Sequence, residues 1–173
     1  MPIVIAVIST LAFWFVYWLF RMGGLERMQE ASARRKDAAR LAKARESERL
    51  APLRAVDDPR DAVVILMLLI ARVGGDPTRE QIAGIEKIVG SVFGAEYELA
   101  ERMRHARFIA SRADSFEQAA GLFTDMFLKR LTPDERRQLV RMVEEAAELE
   151  HHSEAHVDAI NVLRRRMGLA PAS

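Results

Sequence analysis

The residues of this chain best suited to chemistry lie in one short run, Glu150-His151-His152-Ser153-Glu154-Ala155-His156. His152 and His156 are four apart, the spacing at which one helix face presents two imidazoles to a transition metal, and Glu150 is a carboxylate close by. The run lacks the His-Glu-x-x-His order of helical zinc sites, and the chain has no cysteine. Ser153 as an N-cap followed by acidic Glu154 accounts for much of it as ordinary helix-start chemistry. The expectation is no resident metal or cofactor, with Glu150, His152 and His156 as the candidate ligands if a metal binds. Catalysis has less to draw on. There is no thiol nucleophile, no Gly-Lys-Ser/Thr after Gly74-Gly75 to make a phosphate loop, and no nucleophile elbow around any serine. A non-enzymatic protein is expected.

The second set of residues with a readable purpose is at the other end. From Ile3 to Phe20 the sequence runs 18 residues without a charge, which as a helix reaches roughly 27 Å, close to the hydrocarbon thickness of a bilayer. Nothing basic precedes it except the terminal amine, and no small-x-small cleavage site follows Arg21-Met22-Gly23-Gly24. It reads as a single uncleaved transmembrane helix. At about 100° per residue, Ala6, Ser9, Thr10, Phe13, Tyr17 and Phe20 share one side of that helix. Small and hydroxylated residues permit close approach and interhelical hydrogen bonds, so this side is expected to meet protein and the opposite side lipid. A second copy of the chain would use the same side. Trp14 and Trp18 beside Arg21 suit the headgroup belt.

Between residues 21 and 50 there are nine basic and five acidic side chains. By the positive-inside rule the C-terminal bulk is therefore cytoplasmic and the N-terminus outside. The net charge of the whole chain is +1, so the remainder is acidic, which argues against a nucleic-acid partner. The basic stretch is expected to face anionic lipid headgroups. Residues 25–50 are rich in Ala, Arg, Glu and Lys and read as a charged helical linker. The run Ala51-Pro52-Leu53 to Asp58-Pro59 is expected to break it.

Six helical segments follow, and no stretch alternates with period two, so the class is all-α. Asp58-Pro59 should open a buried central helix over DAVVILMLLIARV, ended by Gly74-Gly75. Asp76-Pro77 should open the next in the same way, with Ile82, Ile85, Ile88, Val89 and Val92 inward and Gly94 as a stop. A third, over about 96–111, uses Leu99, Met103 and Ile109. Asp114 or Ser115 caps the fourth, and Thr132-Pro133-Asp134-Glu135 is a capping box for the fifth. Ser153 caps the sixth, which runs through Val157, Ile160, Leu163 and Met167. Phe93, Phe108, Phe116, Phe123 and Phe127 read as core. The expected division is a transmembrane anchor over 1–22, a charged helical linker over 23–57, a helical domain over 58–169 and a tail over 170–173.

The stretches MLLIARVGGDPTREQIAGIEKIVGSVFG and LTPDERRQLVRMVEEAAELEHHSEAHVDAINVLRRRMGL resemble the tellurite-resistance TerB-like domain family. The resemblance implies a compact bundle over roughly residues 60–169. The family's helix junctions commonly carry an Ala-Asp-Gly turn linked to metal binding. Here the first turn reads Val73-Gly74-Gly75 without that aspartate, and the second reads Leu149-Glu150-His151. No His-Pro-Asp tripeptide occurs, so the J-domain activity of some membrane-anchored relatives of that family does not transfer. The combined expectation is a single-pass protein of a bacterial inner membrane, an accessory subunit or assembly factor docking on a larger membrane complex. The alternative is a membrane-tethered stress-response module that recruits soluble partners.

Overall fold

The structure, a computed structural model, describes residues 40–149 and 153–170. The regular elements among these are all helical, as the sequence predicts: α1 (Pro59–Ile70), α2 (Arg79–Phe93), α3 (Leu99–Ala110), α4 (Phe116–Arg130), α5 (Pro133–Glu148) and α6 (Glu154–Arg166), with a 3-10 turn Ala95–Tyr97 before α3. Residues 40–54 are helical as well. Among the described residues no helix is long and apolar enough to cross a membrane. The expected anchor over 1–22 lies outside them.

The chain divides into two compact units, Met1–Glu48 and Arg49–Ser173. In the first, residues 40–48 are helical and exposed, with Leu41 among the large apolar side chains left in water. In the second, residues 49–54 continue as helix through Pro52, where the sequence predicted a break, and Leu50 and Leu53 are buried in the core. A proline costs a helix one hydrogen bond. Here Leu53, wholly buried, offsets that loss with apolar burial, and Arg49 pairs with Asp114 through both carboxylate oxygens.

Helix α1 is the axis of the second unit. Asp58 accepts the N–H of Arg60 at 2.9 Å, Pro59 takes the first helical position, and nine consecutive residues from Ala62 to Ile70 are buried. Helices α2, α3, α4 and α5 all pack against it, and α6 lies one layer out against α4 and α5. The helix stops at Ile70, three residues short of the apolar run. Arg72 and Val73 bond to carbonyls three residues back, tightening the chain into a turn, while the Arg72 guanidinium donates to the Ala110 carbonyl at 3.0 Å.

Helix α2 corrects a second expectation. Its N-cap is Thr78, and Asp76-Pro77 stays outside. Thr78 Oγ1 accepts the Gln81 N–H at 3.2 Å while Gln81 Oε1 accepts the Thr78 N–H at 2.6 Å, satisfying two end donors at once and leaving buried Gln81 paired. Gly94, at φ 72°, ends α2. Ser115 rather than Asp114 accepts at the head of α4, and the Thr132–Glu135 box opens α5 as expected.

Two apolar residues placed inside by spacing are outside. Phe108 is 53% exposed, because the buried stripe of α3 runs through Met103, Ala106, Ile109 and Ala110 and leaves Phe108 on the far side. Val157 is 41% exposed, since the stripe of α6 runs through His156, Ala159, Ile160 and Leu163. The imidazole takes the inward position that the valine was expected to hold.

Candidate functional site

Asp58 and Asp61 are three apart at the start of α1, so both carboxylates project from the same part of its first turn. Arg102 from α3 reaches both: one of its guanidinium nitrogens lies 3.0 Å from Asp58 Oδ2 and 3.0 Å from each oxygen of Asp61. The Tyr97 hydroxyl donates to Asp61 Oδ1 at 2.7 Å. Above the Tyr97 ring lie the guanidinium carbons of Arg102 at 4.9 Å and Arg60 at 5.6 Å, with Phe93 5.1 Å away. Tyr97 is delivered by the 3-10 turn and by Glu98, the single non-glycine residue with positive φ among the described ones, at φ 50°. That conformation costs about 1 kcal/mol, and it reverses the chain so that a buried ring and the head of α3 meet α1.

The electrostatics follow from the contacts. Partial burial works to raise the Asp58 carboxyl, but hydrogen bonds from the Arg60 side chain and backbone outweigh it and hold the group below the usual carboxylate range. Burial, then the bond to Asp61, pushes the Tyr97 phenol far above its ordinary value. Both arginines are raised, Arg102 chiefly through Asp61 and Arg60 through Asp58. Charges are thus matched within the cluster, which clasps α3 to α1. A lowered carboxyl contributes stability that is present above its unfolded value near 4 and is lost as pH falls through the folded value. A raised phenol contributes stability that is present below about 10 and is lost as pH rises. Unfolding measured across pH should show a plateau between about 5 and 9 that falls on both sides, and Tyr97→Phe should remove the alkaline limb.

Next to this clasp is a cleft of roughly 270 Å³ between the start of α1, the end of α2 and the first half of α5. Val63, Leu139 and Met142, all nearly inaccessible, form its floor, and Val92, Phe93 and Leu131 form half-buried walls. Its polar rim is Arg60, Glu135 and Gln138. Arg60 is already paired with Asp58. Glu135 accepts from the Thr132 N–H at 2.7 Å and the Thr132 hydroxyl at 2.8 Å, which holds its carboxyl below the usual range. A hollow with an apolar floor and with its ionisable rim groups engaged is suited to receiving an apolar side chain or a short apolar segment.

His156 is the one member of the sequence-predicted ligand set among the described residues. Its side chain is buried, and its Nδ1 lies 2.7 Å from Ser153 Oγ and 3.4 Å from the Ser153 N–H, so it joins the N-cap of α6. Glu150 and His152 lie outside the described residues, as do Ala6, Ser9, Thr10, Phe13, Tyr17, Phe20, Trp14, Trp18 and Arg21. Among the described residues no group of three or more acidic or imidazole side chains is placed to hold a metal. No sequence pattern announces the Tyr97–Asp61–Arg102 clasp, because its members come from three separate segments and only the Asp58/Asp61 spacing is local. No family model, curated protein or solved structure matches the chain.

Proposed function

We propose that this chain is a non-enzymatic, single-pass protein of a bacterial inner membrane, an accessory subunit or assembly factor that docks on a larger membrane complex. In this reading Ile3–Phe20 is the anchor, the N-terminus is outside, and the helical domain is held on the cytoplasmic side, where it receives a part of the partner. The observation that carries it is the cleft beside α1, which offers an apolar floor while its ionisable rim groups are engaged within the protein. Such a site binds without supplying a free acid, base or nucleophile. The uncharged run and the polar stripe through Ser9, Thr10 and Tyr17 support a partner within the bilayer.

A second reading, a membrane-tethered TerB-like module recruiting soluble partners, is favoured by the resemblance of the stretches over 67–94 and 131–169 to that family. Extraction of the full chain into mild detergent or nanodiscs distinguishes the two. The expected result is a membrane protein recovered in stoichiometric amount, lost when Ser9, Phe13 and Tyr17 are replaced by leucine. If the full chain and a form lacking residues 1–22 retain the same soluble proteins and nothing else, the accessory-subunit reading is overturned.

A further inference from the structure

The outward arc of α3 has an unusual composition for a domain that is acidic as a whole. Arg104, His105, Arg107 and Phe108 are all exposed on it, Arg112 is exposed in the turn that follows Ala110, and Glu101 is the carboxylate at its leading end. Phe108, 53% exposed, stands in the middle with the Arg112 guanidinium 5.0 Å above its ring. Among the described residues none of Arg104, Arg107 and Arg112 forms an ion pair; Arg104 merely donates back to the Ala100 carbonyl. Arg107 also borders a shallow hollow of roughly 330 Å³ lined by Leu68, Pro77 and Ile82, with Asp76 and Arg72 as its other charged residues. Three guanidinium groups outside any ion pair among the described residues, together with a projecting phenyl ring, match a surface that is anionic outside and apolar beneath.

The geometry points to this face of α3 and the turn after it as a second membrane contact, with Arg104, Arg107 and Arg112 on anionic phospholipid headgroups and Phe108 entering the interface. It rests on the anchored reading above and deepens it, because a tether converts weak surface affinity into persistent docking. Each arginine near an anionic bilayer contributes about fivefold in affinity, and a tether makes the contact intramolecular. The domain is then held flat on the membrane with one side fixed toward lipid.

The chain has no cysteine, so one introduced thiol reports one place. The full chain carrying Ser111→Cys with an environment-sensitive fluorophore is reconstituted into nanodiscs containing brominated lipid. The expected result is quenching in discs of phosphatidylglycerol and phosphatidylcholine, and little in phosphatidylcholine alone or at high salt. Arg104→Gln, Arg107→Gln and Arg112→Gln together should weaken the contact by roughly a hundredfold and abolish quenching, and Phe108→Ser should reduce it. A label at Glu145→Cys, exposed on α5, should stay unquenched. Unquenched Ser111→Cys in a chain that co-elutes with discs overturns this inference alone, as does quenching that survives the triple substitution. That outcome leaves the arginines to an acidic protein surface instead. A chain that fails to enter discs overturns the anchored reading and this one together.

Discussion

Replacing Leu66 by alanine is expected to remove about 3 kcal/mol of stability and to lower the unfolding midpoint by roughly 10 °C. Leu66 sits in the middle of α1 with no accessible surface. Helices α2, α3, α4 and α5 all reach α1, so the cavity left by three missing carbon atoms is walled by several elements and cannot collapse from one side. Leu128→Ala supplies the contrast: that side chain is 43% exposed on α4 and its loss should cost under about 0.5 kcal/mol. Denaturant unfolding of the full chain in mild detergent, followed by circular dichroism, checks both. A loss below about 1 kcal/mol at Leu66 would mean that α1 is not the axis of the fold.

Arg102→Ala is the second substitution with a large expected effect, about 2 kcal/mol. The guanidinium is 29% exposed, so the cost falls between that of a solvated pair and that of a buried one. Its removal leaves Asp58 and Asp61 facing each other without the cation between them, and Tyr97 without the guanidinium over its ring. The sign of the pH dependence tests this account. With the cation gone, Asp58 loses one of the hydrogen bonds that hold its carboxyl down, so protonation costs the variant less and the loss should shrink as pH falls from 7 toward 4. Asp61→Asn in the same chain should recover part of the stability. Arg60→Ala, at a side chain 44% exposed, should cost less than about 1 kcal/mol. A pH-independent cost for Arg102→Ala would assign its effect to packing alone.

The helical order of the domain is written locally and was legible. Caps such as Asp58, Thr132 and Ser153 act within three residues, and stripes such as Phe116, Ala119, Ala120, Phe123 and Phe127 repeat within one helix. Sequence and structure part where two local signals compete. Asp76-Pro77 and Thr78-x-x-Gln81 each mark a helix start, and the reciprocal pair prevails because it satisfies two donors rather than one. Pro52 reads as a breaker, yet Leu50 and Leu53 on either side of it are drawn into the core. Phe108 reads as core by its chemistry and is outside by its angle on α3. The clasp of Tyr97, Asp61 and Arg102 depends on a chain reversal at Glu98, whose left-handed backbone no side-chain pattern announces. His156 was legible as part of a titratable run, but its burial against α6's own cap is a property of the stripe and not of the run.

The burial of α1 on every side also fixes a timetable. About 80 residues separate the end of α1 from the end of α5, so a ribosome adding about 5–20 residues per second leaves α1 without its full cover for some 4–16 s. Under the anchored reading proposed above, that interval is spent beside lipid. The buried run Ala62–Ile70 spans only about 14 Å as a helix, half of what a bilayer requires, and Asp58, Arg60 and Asp61 stand at its head. Under the same anchored reading, Asp58, Arg60 and Asp61, two of which later meet Arg102, oppose entry of the nascent helix into the membrane until its neighbours arrive.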